Sequence, residues 1–180
     1  TARMVKKDHP NARICFIGPC AAKKLEANRK SVRSDVDYVL TFEELQGMFD
    51  AKDIDFNTLE ADPEDGLNEG TAMGRGFAVG GGVAAAVVEA IKHIDPRREV
   101  QIEYGDGLRE CKKMLMMAKA GKRNGYLLEG MACPGGCVAG AGTITPVRES
   151  TMNVEKFKKE AAEVSCTASP FVDRLKDVEE

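Results

Sequence analysis

The chain has 180 residues, 43% hydrophobic and 31% charged, which is one domain's length and excludes a mostly disordered protein. With 26 Lys and Arg against 29 Asp and Glu the net charge is −3, so there is no basic footprint and no nucleic-acid partner is expected. The longest apolar run, Phe77 to Val88, is too short and glycine-rich to span a bilayer, and TARMVKKDHP at the N-terminus has no apolar leader.

In chain order, Ala12 to Gly18 (ARICFIG) is a β-branched apolar run ending at Gly18-Pro19, the pattern of a buried strand. Cys20 to Arg29 is rich in helix formers. Asp37 to Leu40 is a second strand. Thr41, with Glu44 three residues on, is a capping box that opens a helix over residues 42–51. Asp53 to Glu69 is an acidic loop with turn signals at Asp62-Pro63 and Asp65-Gly66. After the glycine-rich stretch Gly70 to Gly82, Val83 to Ile94 is a helix with a wide apolar face. Glu99 to Tyr104 alternates like a strand and turns at Gly105-Asp106-Gly107; a helix follows over Leu108 to Ala120, with Met114, Met116 and Met117 as core residues. Tyr126 to Ala132 is the fourth strand, Cys133 to Cys137 a loop, and Met152 to Val164 a polar helix. The expectation is a single α/β domain over residues 1–180, with about four mainly parallel strands in a twisted sheet flanked by helices.

Six cysteines are present in a chain too long and too rich in core residues for a disulfide scaffold, so reduced thiols and a cytoplasmic location are expected. Cys20, in Gly18-Pro19-Cys20-Ala21-Ala22-Lys23, sits where a strand ends and a helix begins, the place where open α/β sheets bind ligands. Lys23 shares its helix face and can reach an anionic ligand. Cys133 and Cys137 flank Pro134-Gly135-Gly136 after the fourth strand, where glycines let backbone N–H groups approach a metal centre. His9 and His93 are unpaired in sequence, which disfavours zinc; the spacing suits an iron–sulfur cluster better. Cys15 is expected in the strand core, and Cys111 and Cys166 are expected to be structural. The glycines from Gly74 to Gly82 lack the preceding strand of a phosphate loop, so close helix packing is the better reading.

The two patterns, PCxxKKxE at Pro19 to Glu26 and ExMACxGGCxxGxG at Glu129 to Gly142, resemble the second and third signature motifs of the iron-only (FeFe) hydrogenases. DVDYVLTFEEL and GRGFAVGGGVAAAVVEA between them are similar too, so the resemblance spans most of residues 12 to 150. It implies an H-cluster in the intact parent: a 4Fe–4S cluster joined through a cysteine sulfur to a diiron subsite carrying CO and cyanide. It implies Cys20, Cys133 and Cys137 as metal ligands, with Cys137 bridging to the diiron unit. Lys23 would donate to a cyanide, Met131 would pack beside the diiron subsite, and Phe77 would line its cavity. Glu26 and Glu129 would supply supporting hydrogen bonds.

The family's first motif, a TSCCP-type stretch, is not in this chain. The expectation is therefore the C-terminal portion of the hydrogenase domain, one of two lobes, inactive by itself and with no cluster bound. The expected partners are the N-terminal lobe of the same protein and a ferredoxin-type electron carrier or domain, with no membrane. Gly18 replaces the family's usual Met of MPC, which is expected to open space beside the diiron site. That change is like the divergent, H2-sensing members. A third reading is a hydrogenase-like iron–sulfur assembly factor without the diiron unit.

Overall fold

The computed structural model describes residues 1–29, 35–60 and 69–177. The turn signals at Asp62-Pro63 and Asp65-Gly66 lie outside the described residues. The fold is α/β, and its short strands pair in parallel. The chain divides into two compact units: Thr1–Gly66, Gly140–Ile144 and Arg174–Glu180 form the first, and Leu67–Ala139 and Thr145–Asp173 the second.

The first unit contains α1 (Ala2–Asp8), β1 (Cys15–Ile17), α2 (Ala22–Asn28), β2 (Tyr38–Leu40) and α3 (Phe42–Asp50). β1 and β2 pair in register from Cys15–Tyr38 to Ile17–Leu40, with α2 as the crossover. Strands of three residues cover little surface, and no described hydrophobic side chain of this unit is buried. Charged pairs tie its elements instead. The Asp37 carboxylate accepts the Ile14 N–H at 2.8 Å and pairs with Lys6 at 2.9 Å and Arg13 at 3.2 Å. The Ile14 N–H first, then Lys6, lowers its pKa to about 2. Helix α1, which no pattern in the sequence announces, is held by Lys6 and by an Arg3–Asp35 pair at 3.0 Å. Cys15 was expected in the core and is exposed: along β1 it is Phe16 that turns inward, with Cys15 and Ile17 outward.

The second unit contains α4 (Ala72–Arg75), a 3-10 turn over Gly76–Ala78, α5 (Gly82–Ile94), β3 (Gln101–Asp106), α6 (Leu108–Lys119), β4 (Tyr126–Met131), a 3-10 turn over Cys137–Ala139 and α7 (Val147–Lys159). β3 and β4 run parallel in register from Gln101–Tyr126 to Asp106–Met131. Among the described residues, the buried hydrophobic side chains are all here: Ala84, Ala86, Met114 and Val138. Small residues on α5 let neighbouring backbone come close. Of the three methionines expected in the core, Met114 is buried, Met117 is half-buried and Met116 is 62% exposed on the outer side of α6.

The strands form two parallel pairs, β1–β2 and β3–β4. The alternation of strand and helix periods encodes each βαβ crossover, but it does not encode which outer edges pair. The last helix starts five residues earlier than expected and ends at Lys159. The carbonyls of Glu163 and Val164 instead accept the N–H groups of Ala72 and Met73 at 2.8 and 3.1 Å, and that pairing takes the EAAEV stretch out of the helix.

Candidate metal centre

The two cysteine motifs follow the carboxyl ends of strands, one in each unit. In the first unit, β1 ends at Ile17 and the chain turns through Gly18-Pro19 to Cys20, which is half-buried and lies two residues before α2. The Cys20 carbonyl accepts the Lys23 N–H at 3.2 Å, the first turn leading into that helix. The Lys23 ammonium donates to both oxygens of Glu26 at 2.8 and 2.7 Å. The two side chains border a cleft of about 80 Å³ with Phe16, Ala27, Val36 and Val39.

Gly18 does not open space. A Cβ placed there would meet Phe16 Cε1 at 2.8 Å, so the Phe16 ring already fills the volume that a side chain at this position would use. The inward turn of Phe16 along β1 puts it there, and no pattern in the sequence pairs the two residues.

Pro19 is fastened from a distant part of the chain. Gly142 donates its N–H to the Pro19 carbonyl at 3.0 Å, and its own carbonyl accepts from Glu43 N–H at 3.3 Å. A Cβ at Gly142 would lie 2.4 Å from Cβ of the buried Thr41, so only glycine fits between the Pro19 turn and the start of α3. Thr41 and Glu44 form the expected capping box. Glu44 also receives the Lys24 ammonium at 2.7 Å, and Lys24, ahead of the Thr41 N–H, holds its pKa down at about 2. Lys24 thereby links α2 to α3, a role the sequence did not reveal.

In the second unit β4 ends at Met131, and Cys133-Pro134-Gly135-Gly136-Cys137 leaves the sheet as a tight loop. Gly136 N–H closes it onto the Cys133 carbonyl at 2.9 Å, and Gly80 N–H donates to the Gly135 carbonyl at 3.1 Å. Gly136 has φ +99°, and a Cβ there would stand 2.5 Å from Gly80 N, so the contact is backbone on backbone. Cys133 and Cys137 are half-buried, and Val138 after them is buried.

Glu129 anchors the far side of this contact. It is 8% exposed, and its carboxylate accepts Gly81 N–H at 3.1 Å and Ala84 N–H at 2.8 Å at the start of α5. The anion meets the unpaired N–H groups and positive dipole end of that helix. This is the supporting hydrogen-bond role expected of Glu129. Met131 borders a cleft of about 200 Å³ with Gly80, Tyr104, Asp106, Gly135 and Thr151 among its walls. Phe77 is not one of those walls; it stands 45% exposed on the 3-10 turn before α5. Cys111 donates from α6 to the carbonyls of Gly105 at 3.3 Å and Met131 at 3.6 Å, a structural use of its thiol.

Among the described residues no three of His, Cys, Asp and Glu converge as a metal-binding group. The donor chemistry of the motifs fits an iron–sulfur centre. Two thiols share one glycine loop, a third follows a strand end, and both histidines are exposed, His93 in the last turn of α5 at the end away from the loop. No helix among the described residues is long and apolar enough to cross a membrane.

The α/β fold and its two cysteine motifs set the class of protein to look for, and the comparisons supply the family. The family described as iron only hydrogenase large subunit, C-terminal domain, matches residues 1–141, and the chain belongs to it. The chain is 31% identical to the periplasmic Fe hydrogenase large subunit of Nitratidesulfovibrio vulgaris, over 78% of this chain and 41% of that protein. It is 29% identical to a probable cytosolic Fe–S cluster assembly factor of Drosophila virilis, over 84% of this chain and 41% of that one. Its fold is similar to apo FeFe-hydrogenase of Chlamydomonas reinhardtii, with a TM-score of 0.67 and 19% identity over 98% of this chain and 62% of that one. The chain thus spans well under half the length of these curated relatives.

Proposed function

We propose that this chain supplies part of the H-cluster site of an iron-only hydrogenase, with Cys20, Cys133 and Cys137 as thiolate ligands. The observation that carries the reading is the Cys133–Cys137 loop: two thiols on one glycine turn, clamped to the start of α5 through Gly80, Gly81 and Glu129. When bound, the 4Fe–4S cluster and its diiron subsite supply the redox chemistry of 2 H⁺ + 2 e⁻ ⇌ H2. This chain's residues hold and orient the group. Cys137 would be a thiolate ligand shared with the diiron unit, Met131 would pack beside that unit, and Phe77 would line its cavity. Lys23 would exchange its contact with Glu26 for a cyanide ligand, a move that a half-exposed pair at i and i+3 permits at small cost. A cubane takes four ligands, and three are assigned in this chain, so turnover belongs to the whole protein. An N-terminal lobe and a ferredoxin-type electron carrier complete this reading, with a cytoplasmic, anaerobic setting.

The second reading, a non-catalytic iron–sulfur assembly factor, is favoured by the 29% identity to the Drosophila virilis protein. It requires the thiolates and leaves Lys23 paired with Glu26. The H2-sensing reading rests on Gly18, beside which the Phe16 ring stands.

Infrared spectroscopy of the intact parent, produced anaerobically with diiron maturation enzymes, separates the first two. Bands of metal-bound CO and cyanide are the expected result, with the cyanide bands shifted in Lys23→Ala. A 4Fe–4S signal without those bands would move the protein to the assembly class.

A further inference from the structure

We propose that Asp106 is a positioning residue for the cysteine loop and, resting on the cluster reading above, for the thiolates of Cys133 and Cys137. Asp106 is the last residue of β3, opposite Met131 in the register of the parallel pair. Its Oδ1 accepts the N–H of Gly135 at 2.7 Å, a charge-assisted bond to the middle of the loop. Gly135 has φ +93° and Gly136 φ +99°, so two consecutive left-handed residues must be held in place between the two cysteines. Free glycines sample many backbone states, and fixing one of them costs conformational entropy.

Both polar groups of Gly135 are committed to different elements. Its carbonyl takes the Gly80 N–H at 3.1 Å and its N–H goes to Asp106. The neighbouring residue adds to the grip. Gly107 N–H donates to the Met131 carbonyl at 2.8 Å, and Pro134 Cγ stands 3.4 Å from the Cβ position of Gly107. The end of β3 therefore holds the last residue of β4, the proline within the loop and the glycine at its centre. In the sequence, Gly105-Asp106-Gly107 is only a turn signal. In this role Asp106 acts on the thiols through Gly135, as outer contacts of metal ligands commonly do.

The test uses the full-length protein carrying this chain, purified without cluster, with the alkylation rate of each cysteine read by peptide mapping. D106A removes the acceptor, and D106N keeps an oxygen at the same place. D106A is expected to raise alkylation at Cys133 and Cys137 about fivefold, the factor that corresponds to one hydrogen bond of about 1 kcal/mol. Amide exchange at Gly135 should quicken with it, D106N should return both toward the parent, and Cys20 and Cys166 should keep their rates. Where D106A loses its helical circular dichroism, D106S, whose hydroxyl is too short to reach Gly135, replaces it. Unchanged rates at Cys133 and Cys137, or equal rises at all four cysteines, would overturn the proposal. Iron and sulfide content of the reconstituted parent reads the cluster assignment separately. A parent that binds no cluster overturns that assignment, while a cluster-bearing parent whose loop ignores Asp106 overturns only the positioning role.

Discussion

Glu129 in the second unit and Asp37 and Glu44 in the first are held in opposite ways, although the second unit also has charge pairs such as Arg123–Glu103. In the second, Glu129 is nearly buried and spends both oxygens on backbone N–H groups at the start of α5. In the first, Asp37 and Glu44 remain accessible and collect lysine and arginine partners together with one backbone N–H each. Packing differs in parallel: the second unit has buried Ala84, Ala86, Met114 and Val138, whereas the described part of the first has only glycines and Thr41 at that depth. A unit with six-residue strands can cover a core and then place one desolvated anion where a helix needs it. A unit with three-residue strands relies on exchangeable charge pairs. The cysteine loop sits on the former and the Cys20 turn on the latter, so the two cysteine motifs differ in how firmly each one's own unit holds it.

The largest expected effect that sharpens this contrast is at Glu129. Glu129→Ala strips two N–H groups of a charged acceptor in a buried place and should cost about 2–3 kcal/mol in chemical denaturation. It should also loosen Gly80 and Gly81 against the loop, read as faster amide exchange at both. A loss close to zero would mean that water replaces the carboxylate, and the contrast between the units would fail.

A smaller loss is expected at Thr41 in the first unit. Thr41→Ala removes one half of the capping box of α3 and should cost about 1 kcal/mol, with amide exchange rising at Glu44. Because Gly142 packs against Thr41 Cβ, Thr41→Ser should keep the cap and cost less.

The smallest is a response to acid, and its sign follows from the lowered carboxylates. Asp37 and Glu44 fall from 3.8 and 4.5 to about 2 in the folded chain. Their contribution is complete above the unfolded values and is lost as pH falls through about 2. Acid titration followed by NMR should show β1, β2 and the start of α3 loosening between pH 4.5 and 2. High salt should blunt the effect, because these pairs are accessible to solvent. Simultaneous loosening of β3 and β4 in the same window would erase the distinction between the units.

Legibility in the sequence followed the range of the interaction. The capping box of Thr41 and Glu44 and the βα order around each cysteine motif were readable, since each depends on residues a few positions apart. Helix α1 was not, because its ties to Asp35 and Asp37 cross about thirty positions. The early end of α7 was not, because Ala72 and Met73 claim carbonyls that lie about ninety residues later. At the candidate centre the cysteines, Lys23 and Met131 could be named, but the partners that orient them could not. Phe16 filling the space beside Gly18 reversed the expected vacancy there, and Lys23 faces Glu26.

By itself the sequence determined the α/β class, the two parallel crossovers, the family to which the chain belongs and the thiols it offers. Period, capping and motif spacing are local properties of a chain, and they survive without knowledge of what packs where. Only the tertiary structure decided that the strands form two pairs, that Glu129 caps α5, that Gly142 fits between Pro19 and Thr41, and that Asp106 grips Gly135. Those contacts join residues tens of positions apart through single hydrogen bonds and close backbone approaches, and no local period records them.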